Sequence, residues 1–465
     1  MMFDNELELS TLNNLTVDSK LLEEEEVDML EENLPKPISI QNESLKPPLL
    51  LDDEDSNKPY LTKTIDRKIA TIMVVIGTAY LFPFESYLMS LDYFSMLYPD
   101  KKIYSSFPFV YMAAIMVTFL IFLRIPYLLS HSKMMIIGFS FYIVLLILVP
   151  VINITPGIRG TETSYTVTLV LFILTGVADG FVQGTIYSIA GAFGPAYTQF
   201  TQIGVGLAGI IVIITRIISK VSFPFTPEGL RHGCLLYFLL SATIILISLL
   251  SFLSLIRIPS IGTYLTQSRS KNKENTSTLS DSQVNSSWSP NKEGYKNVFK
   301  ANYQMGIINI ILFVVSGAAF PGLIFEMSST SIRYDWYVIL VMAVNNIFDF
   351  IGKSFPSYLH NNGKRLPSLP VLWTITIARG LFILFFFLII YKLAFTNLAW
   401  ILIFISIFGF TNGYICSIVM TEGPRAVSRE YKELSALFMT TCLIVGITVG
   451  NSLNFMAVHL IDSNK

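Results

Sequence analysis

The stretch AVNNIFDFIGKSFPSY, Ala343 to Tyr358, reads as a hydrophobic helix carrying the polar side chains of Asn345, Asn346, Asp349 and Lys353. Asp349 and Lys353 stand four residues apart and so share a face, with Asn345 and Asn346 about one turn earlier on the same side. A charged side chain in a bilayer costs roughly 2.5 to 3.5 kcal/mol on insertion scales, so this face must look into protein or into a water-filled cavity. The plainer alternative is a buried ion pair that locks two helices together. Intramembrane ionisable residues are functional-site candidates by default, which favours a site.

The rest of the chain sets the context for that helix. Its 465 residues are 52% hydrophobic and only 14% charged, with a formal net charge of −1, the balance of a polytopic membrane protein embedded in a lipid bilayer. With net charge near zero and the basic residues dispersed, there is no electrostatic case for nucleic-acid binding. Cys234, Cys416 and Cys442 lie in or beside apolar runs without paired spacing, so they read as small buried hydrophobes. Nothing in the pattern calls for a metal or a cofactor. Residues 1–62, with acidic runs at Glu23 to Asn33 and Asp52 to Asp55, read as a disordered acidic tail.

Apolar runs near twenty residues each give about eleven transmembrane helices, so the two termini lie on opposite sides. A polar loop rich in Ser, Asn and Lys, residues 257–300, divides them into six helices (63–256) and five (301–465), and reads as a disordered linker. Lys and Arg are about twice as frequent on the side of the N-terminal tail, which by the positive-inside rule places that tail and the linker in the cytoplasm and the C-terminus outside. Of the sequons at Asn14, Asn42, Asn153, Asn275 and Asn285, only Asn153 then faces outward, close to the membrane.

Other helices also carry polar groups and breaks. The first holds Pro83, Phe84 and Glu85: the proline can kink the helix, Phe84 could stack on a planar ligand or simply pack, and the carboxyl of Glu85 must be paired, protonated or wetted. The fourth places Asp179 and Gln183 on one face, and an amide offers both a donor and an acceptor to a ligand edge. Gly194 and Pro195 end it in a tight turn. The seventh is broken by FPG at Phe320 to Gly322, and the ninth contains Arg379, for which an ion pair between helices is expected. Breaks in both halves point to a site between two bundles that rearrange.

The stretches FPFESYLMSLDYF (Phe82 to Phe94), VQGTIYSIAGAFGPAYT (Val182 to Thr198), GVGLAG (Gly204 to Gly209), NIFDFIGKS (Asn346 to Ser354), ARGLF (Ala378 to Phe382) and TNGYICSIVMTEGPR (Thr411 to Arg425) together resemble the equilibrative nucleoside transporter family. Their order and spacing carry the resemblance, which leaves out the acidic tail and the central loop. It implies an all-α polytopic membrane protein in a 6+5 two-bundle, major-facilitator-like arrangement. It also implies facilitative transport of nucleosides or nucleobases by alternating access, at the plasma membrane, with no enzymatic activity. Gln183, Asp349 and Lys353 fall on polar positions of the family's substrate site, Phe84 where an aromatic residue lines it, and Ile447 near a lining position of the last helix. Phe84 would then stack on the base, Gln183 would bond its edge, and Asp349 with Lys353 would hold the ribose hydroxyls.

Three departures stand out, since the family commonly has Trp at the position of Phe84, Asn at Glu85 and Arg at Lys353. Lysine lacks arginine's planar fork. A carboxyl at Glu85 opens a second reading, a proton-coupled carrier in which Glu85, Asp179 or Asp349 binds the proton; Asn346 and Arg379 join these as proton or structural candidates. A third, an intramembrane aspartyl protease with Asp179 and Asp349 as its dyad, is disfavoured: such enzymes pair YD with GxGD, and here the contexts are VADG and IFDF.

Overall fold

The computed structural model describes residues 63–101, 103–124, 129–155, 157, 159–266, 292–320, 322–327 and 334–464. The acidic tail, the middle of the central loop, Pro321 and the sequons at Asn14, Asn42, Asn275 and Asn285 lie outside these.

Helices account for nearly all of the described chain, and no strand occurs among the described residues. In order they are α1 (Lys63–Met89), α2 (Leu91–Leu97), α3 (Ile103–Arg124), α4 (His131–Ile154), α5 (Glu162–Phe193), α6 (Pro195–Ser222), α7 (Pro227–Ile256) and α8 (Pro259–Thr266). After the central loop come α9 (Lys292–Ala319), α10 (Gly322–Glu326), α11 (Tyr334–Asn361), α12 (Leu369–Ala378), α13 (Gly380–Ile390), α14 (Leu398–Arg425) and α15 (Lys432–Asn464). Among the described residues ten spans are long and apolar enough to cross a membrane, and an eleventh apolar helix, Ser106–Phe122 within α3, is shorter. With its backbone bonds closed inside each segment, a helix is the element that can lie in lipid, and exposed Val117, Leu120, Ile147, Leu250 and Leu384 form the kind of surface lipid covers.

The turns follow the local sequence. Gly194 closes α5 at φ +119°, a backbone conformation that favours glycine, and Pro195 opens α6 at its first turn, where a missing N–H costs nothing. Thr161 and Thr226 cap α5 and α7 by accepting from the backbone N–H groups of Ser164 and Gly229. Pro83 sits inside a helix that runs on to Met89. The linker begins later than its composition suggests. Pro259–Thr266 forms α8, whose Ile261 and Leu265, four residues apart, are buried, and α9 already starts at Lys292. Asn153 is no glycan site, because it is 1% exposed and its amide donates to Val149 O (2.9 Å) and Thr168 Oγ1 (3.0 Å) while accepting from Tyr98 (2.8 Å).

Helices before the central loop pack on one another, α1 against α6 and α7 and α5 against α3 and α4; after it α9 packs on α15 and α11 on α14. The two groups meet where α11 lies on α6 and α15 lies on α3 and α5. α11 and α14 touch backbone to backbone: a Cβ on Gly352 would overlap Phe410 O, and one on Gly413 would overlap Asp349 O. That contact brings Asn412 beside Asp349.

Near the start of α6, buried Gln199 ties the groups together. Its Nε2 donates to Lys353 O (2.7 Å) on α11, and its Oε1 accepts from Ser417 (2.6 Å) and Thr421 (3.3 Å) on α14. Gln199→Ala removes these three hydrogen bonds, each contributing about 0.5 to 1.5 kcal/mol, and leaves only Ser417 on Lys353 O. The expected result is a larger population open at this end, read as longer distances between spin labels at the exposed positions Lys133 and Asn362. An unchanged distance distribution would show that Gln199 does not hold this end shut.

Candidate functional site

A cavity of about 210 Å³ lies among α1, α3, α5, α6, α9, α11, α14 and α15. Phe84, Glu85, Asp179, Gln183, Asn346, Asp349, Lys353 and Ile447 all line it. Of the nine candidates from the sequence, Arg379 alone is not on the lining. The volume is below the roughly 300–1,000 Å³ of pockets for drug-sized ligands and suits one small solute.

The α11 face is a worked-out polar array. Lys353, only 7% exposed, places Nζ 2.5 Å from Asp349 Oδ2. Asp349 Oδ1 accepts from Asn412 Nδ2 at 2.8 Å, and the Ser316 hydroxyl donates to Asn412 Oδ1 at 2.8 Å. One turn before Asp349, Asn345 Nδ2 donates to Asn346 Oδ1 and Asn346 Nδ2 to Gly209 O, each at 3.3 Å. Asn346 thus also fastens α11 to α6.

Arg379 stands behind this array, at the single-residue step between α12 and α13, and is 1% exposed. The ion pair expected for it does not form, since among the described residues no carboxylate lies within 4 Å of its guanidinium. Instead Nη1 donates to Phe408 O (2.6 Å) and to Thr411 Oγ1, Nη2 donates to Ser316 Oγ (2.8 Å), and the guanidinium lies 4.3 Å from the centre of the Phe408 ring. Its link to Asp349 therefore runs through Ser316 and Asn412. A buried cation can be held by carbonyl, hydroxyl and ring partners without a direct anion.

α1 and α5 bring the other half of the lining. The Phe84 ring lies 5.0 Å from that of Tyr111 at an interplanar angle of 36°, so it both packs and faces the cavity. Glu85 makes no hydrogen bond or ion pair among the described residues. Asp179, 3% exposed, accepts from Tyr111 at 3.1 Å. Gln183 follows one turn later beside Tyr80 and Tyr187, whose hydroxyls are 3.2 Å apart, and Gln202 donates to Tyr187 at 3.1 Å. The lining thus carries the carboxyl groups of Glu85, Asp179 and Asp349 against the one ammonium of Lys353.

Residues 168–459 match the family model described as nucleoside transporter, which is well over half of the chain. The chain belongs to the nucleoside transporter family. It is a family of membrane transporters, not of enzymes. Among its relatives, equilibrative nucleotide transporter 8 of Arabidopsis thaliana is 29% identical over 403 residues, covering 85% of this chain and 96% of that protein. Equilibrative nucleoside transporter 4 of Danio rerio is 22% identical over 444 residues, covering 84% of each. Solved structures with a similar fold include a POT family transporter in complex with 5-aminolevulinic acid (15% identity, TM-score 0.56, 85% of this chain and 90% of that one) and a Major Facilitator Superfamily transporter in the outward conformation (13% identity, TM-score 0.51, 85% and 97%). The protein is thus an integral membrane nucleoside transporter family member with a major-facilitator-like helical fold.

For this transporter, sequence reasoning overlooked Asn412 and Ser316. Asn412 lies inside TNGYICS, which contributes to the family resemblance as a whole, and Ser316 sits in an apolar run. Neither shows a signal until α9 and α14 are placed against α11.

Proposed function

We propose that this cavity is the solute site of a facilitative nucleoside carrier. The observation that carries the reading is the convergence of a flat aromatic face (Phe84), an amide (Gln183) and a carboxylate–ammonium pair (Asp349, Lys353) on one cavity. A base needs a π-face and mixed donors and acceptors at its edge, and a ribose needs acceptors for its hydroxyls. Asn346 and Ile447 line the same cavity. Alternating access would come from the bundles 63–256 and 301–465 rocking about the cavity, with the N-terminus cytoplasmic, the C-terminus outside and the protein at the plasma membrane.

Charge separates nucleosides from nucleotides. A phosphate adds about −1.5 to −2 at neutral pH, and the lining already has three carboxyl groups, its one ammonium being engaged by Asp349. The expected result in liposomes holding the purified protein is saturable uptake of uridine or adenosine that the free nucleosides inhibit and the 5′-monophosphates do not. Inhibition by the monophosphates at equal concentration would overturn this reading of the lining. Free bases in the same panel separate a nucleoside from a nucleobase carrier.

Glu85, without a hydrogen bond or ion pair among the described residues, supports a second reading, coupling to a proton. Accumulation above the equilibrium level under an inward pH gradient would favour it, and levelling at equal concentrations would exclude it.

A further inference from the structure

We propose that Glu85 is the second seat of the Lys353 ammonium, and that solute binding shifts the lysine from Asp349 to Glu85. The inference rests on the reading that Asp349 receives the ribose hydroxyls.

Both oxygens of Asp349 are engaged, Oδ1 by Asn412 at 2.8 Å and Oδ2 by Lys353 at 2.5 Å. Each oxygen keeps a second lone pair, so a sugar diol that donates to both competes there with Asn412 and Lys353 for the same charge. Asn412 is held in place, because its Oδ1 accepts from Ser316 and Ser316 accepts from buried Arg379. Lys353 is the movable partner. Its carbonyl is pinned by Gln199 and Ser417, but its four-carbon stem can swing, and its ammonium has donors to spare beyond the one on Asp349.

A displaced ammonium in a membrane interior needs an anion. The charged groups facing the cavity are Asp349 and Lys353 on α11, Asp179 on α5 and Glu85 on α1, with Arg379 behind the wall. Asp179 is 3% exposed; its Oδ2 takes the Tyr111 hydroxyl, and its Oδ1, without a partner among the described residues, is buried out of reach of a swinging side chain. Glu85 stands on the lining, more open than Asp179, without a hydrogen bond or ion pair among the described residues. Of the two, Glu85 is the carboxylate open to an arriving ammonium. Moving there, the lysine of α11 would join α1, a helix that does not share its polar array in this structure, so the loaded cavity would gain a contact across itself that the empty one lacks. Glu85 is then a positioning residue for ribonucleosides and indifferent to solutes without sugar hydroxyls.

The test uses the full chain in liposomes, with uridine and 2′,3′-dideoxyuridine as probes and KM and Vmax for each. Glu85→Gln is expected to raise KM for uridine about tenfold, equivalent to ~1.4 kcal/mol, and to leave KM for dideoxyuridine within about twofold. Glu85→Asp, which keeps the charge on a shorter stem, should recover part of the loss. Adding Glu85→Gln to Lys353→Met should change nothing further, since no ammonium remains to be seated. An equal rise for both probes, no rise for uridine, or a further loss in the double variant would overturn the exchange. Asp349→Asn keeps the two levels apart. If it leaves the preference for uridine intact, the site reading itself has failed; if it abolishes the preference while Glu85→Gln does not, only the exchange has failed.

Discussion

Asp349→Asn is expected to lower kcat/KM for uridine by about 100-fold or more in liposomes containing matched amounts of protein. The substitution removes the anion that would accept two ribose hydroxyls, and hydrogen bonds to a charged group contribute about 1.5 to 3 kcal/mol each, together roughly 10² to 10⁴-fold. Asparagine keeps the shape and one carbonyl oxygen, so Asn412 retains a partner. Both Asp349→Asn and Asp349→Ala leave the Lys353 ammonium, 7% exposed, without its anion, at about 3 to 5 kcal/mol for a buried pair, and Asp349→Ala also takes away the acceptor of Asn412. The melting temperature of each variant, measured beside its uptake, separates lost recognition from lost stability. Uptake kinetics for Asp349→Asn that match the parent would remove Asp349 from the site.

The second large effect is structural. Arg379→Met should lower the stability of the purified protein by roughly 3 kcal/mol or more, because it removes three hydrogen bonds from a charged donor, to Phe408 O, Thr411 and Ser316, each contributing about 1.5 to 3 kcal/mol. Scanning fluorimetry in detergent should show the apparent melting temperature falling by several degrees, with Arg379→Lys between the variant and the parent. Because Ser316 then loses its anchor, Asn412 no longer fixes Asp349, and the surviving fraction should also discriminate less between uridine and 2′,3′-dideoxyuridine. A variant with the parent's melting temperature would mean that the buried guanidinium contributes no net stability.

How far the sequence went depended on whether the cause was local. The spans follow from runs of apolar residues near the bilayer's thickness, and the α5–α6 turn from Gly194 and Pro195, so both were legible. The α11 face was legible too, because helical spacing alone puts Asp349 and Lys353 together and lipid forbids them to face outward. Arg379 was visible as a buried charge, but its partners are a carbonyl and two hydroxyls on α9 and α14, which no spacing rule reaches. The Asn412–Asp349 bond depends on the close approach permitted by Gly352 and Gly413, and the Ser316–Asn412 bond on α9 lying against α14, so both were hidden for the same reason. Composition also misled at the linker, where a two-residue apolar face, Ile261 and Leu265, suffices to seat α8 within an otherwise polar stretch. At Asn153 a matching sequon said nothing of the tyrosine and threonine that bury the amide.

The account turns on the cavity holding a nucleoside with its sugar against α11. A structure of the protein with uridine bound tests this most directly. The predicted result is the base against Phe84 and Gln183 and the ribose hydroxyls within hydrogen-bond distance of Asp349; uridine outside this cavity, or with its sugar turned away from Asp349, would contradict it.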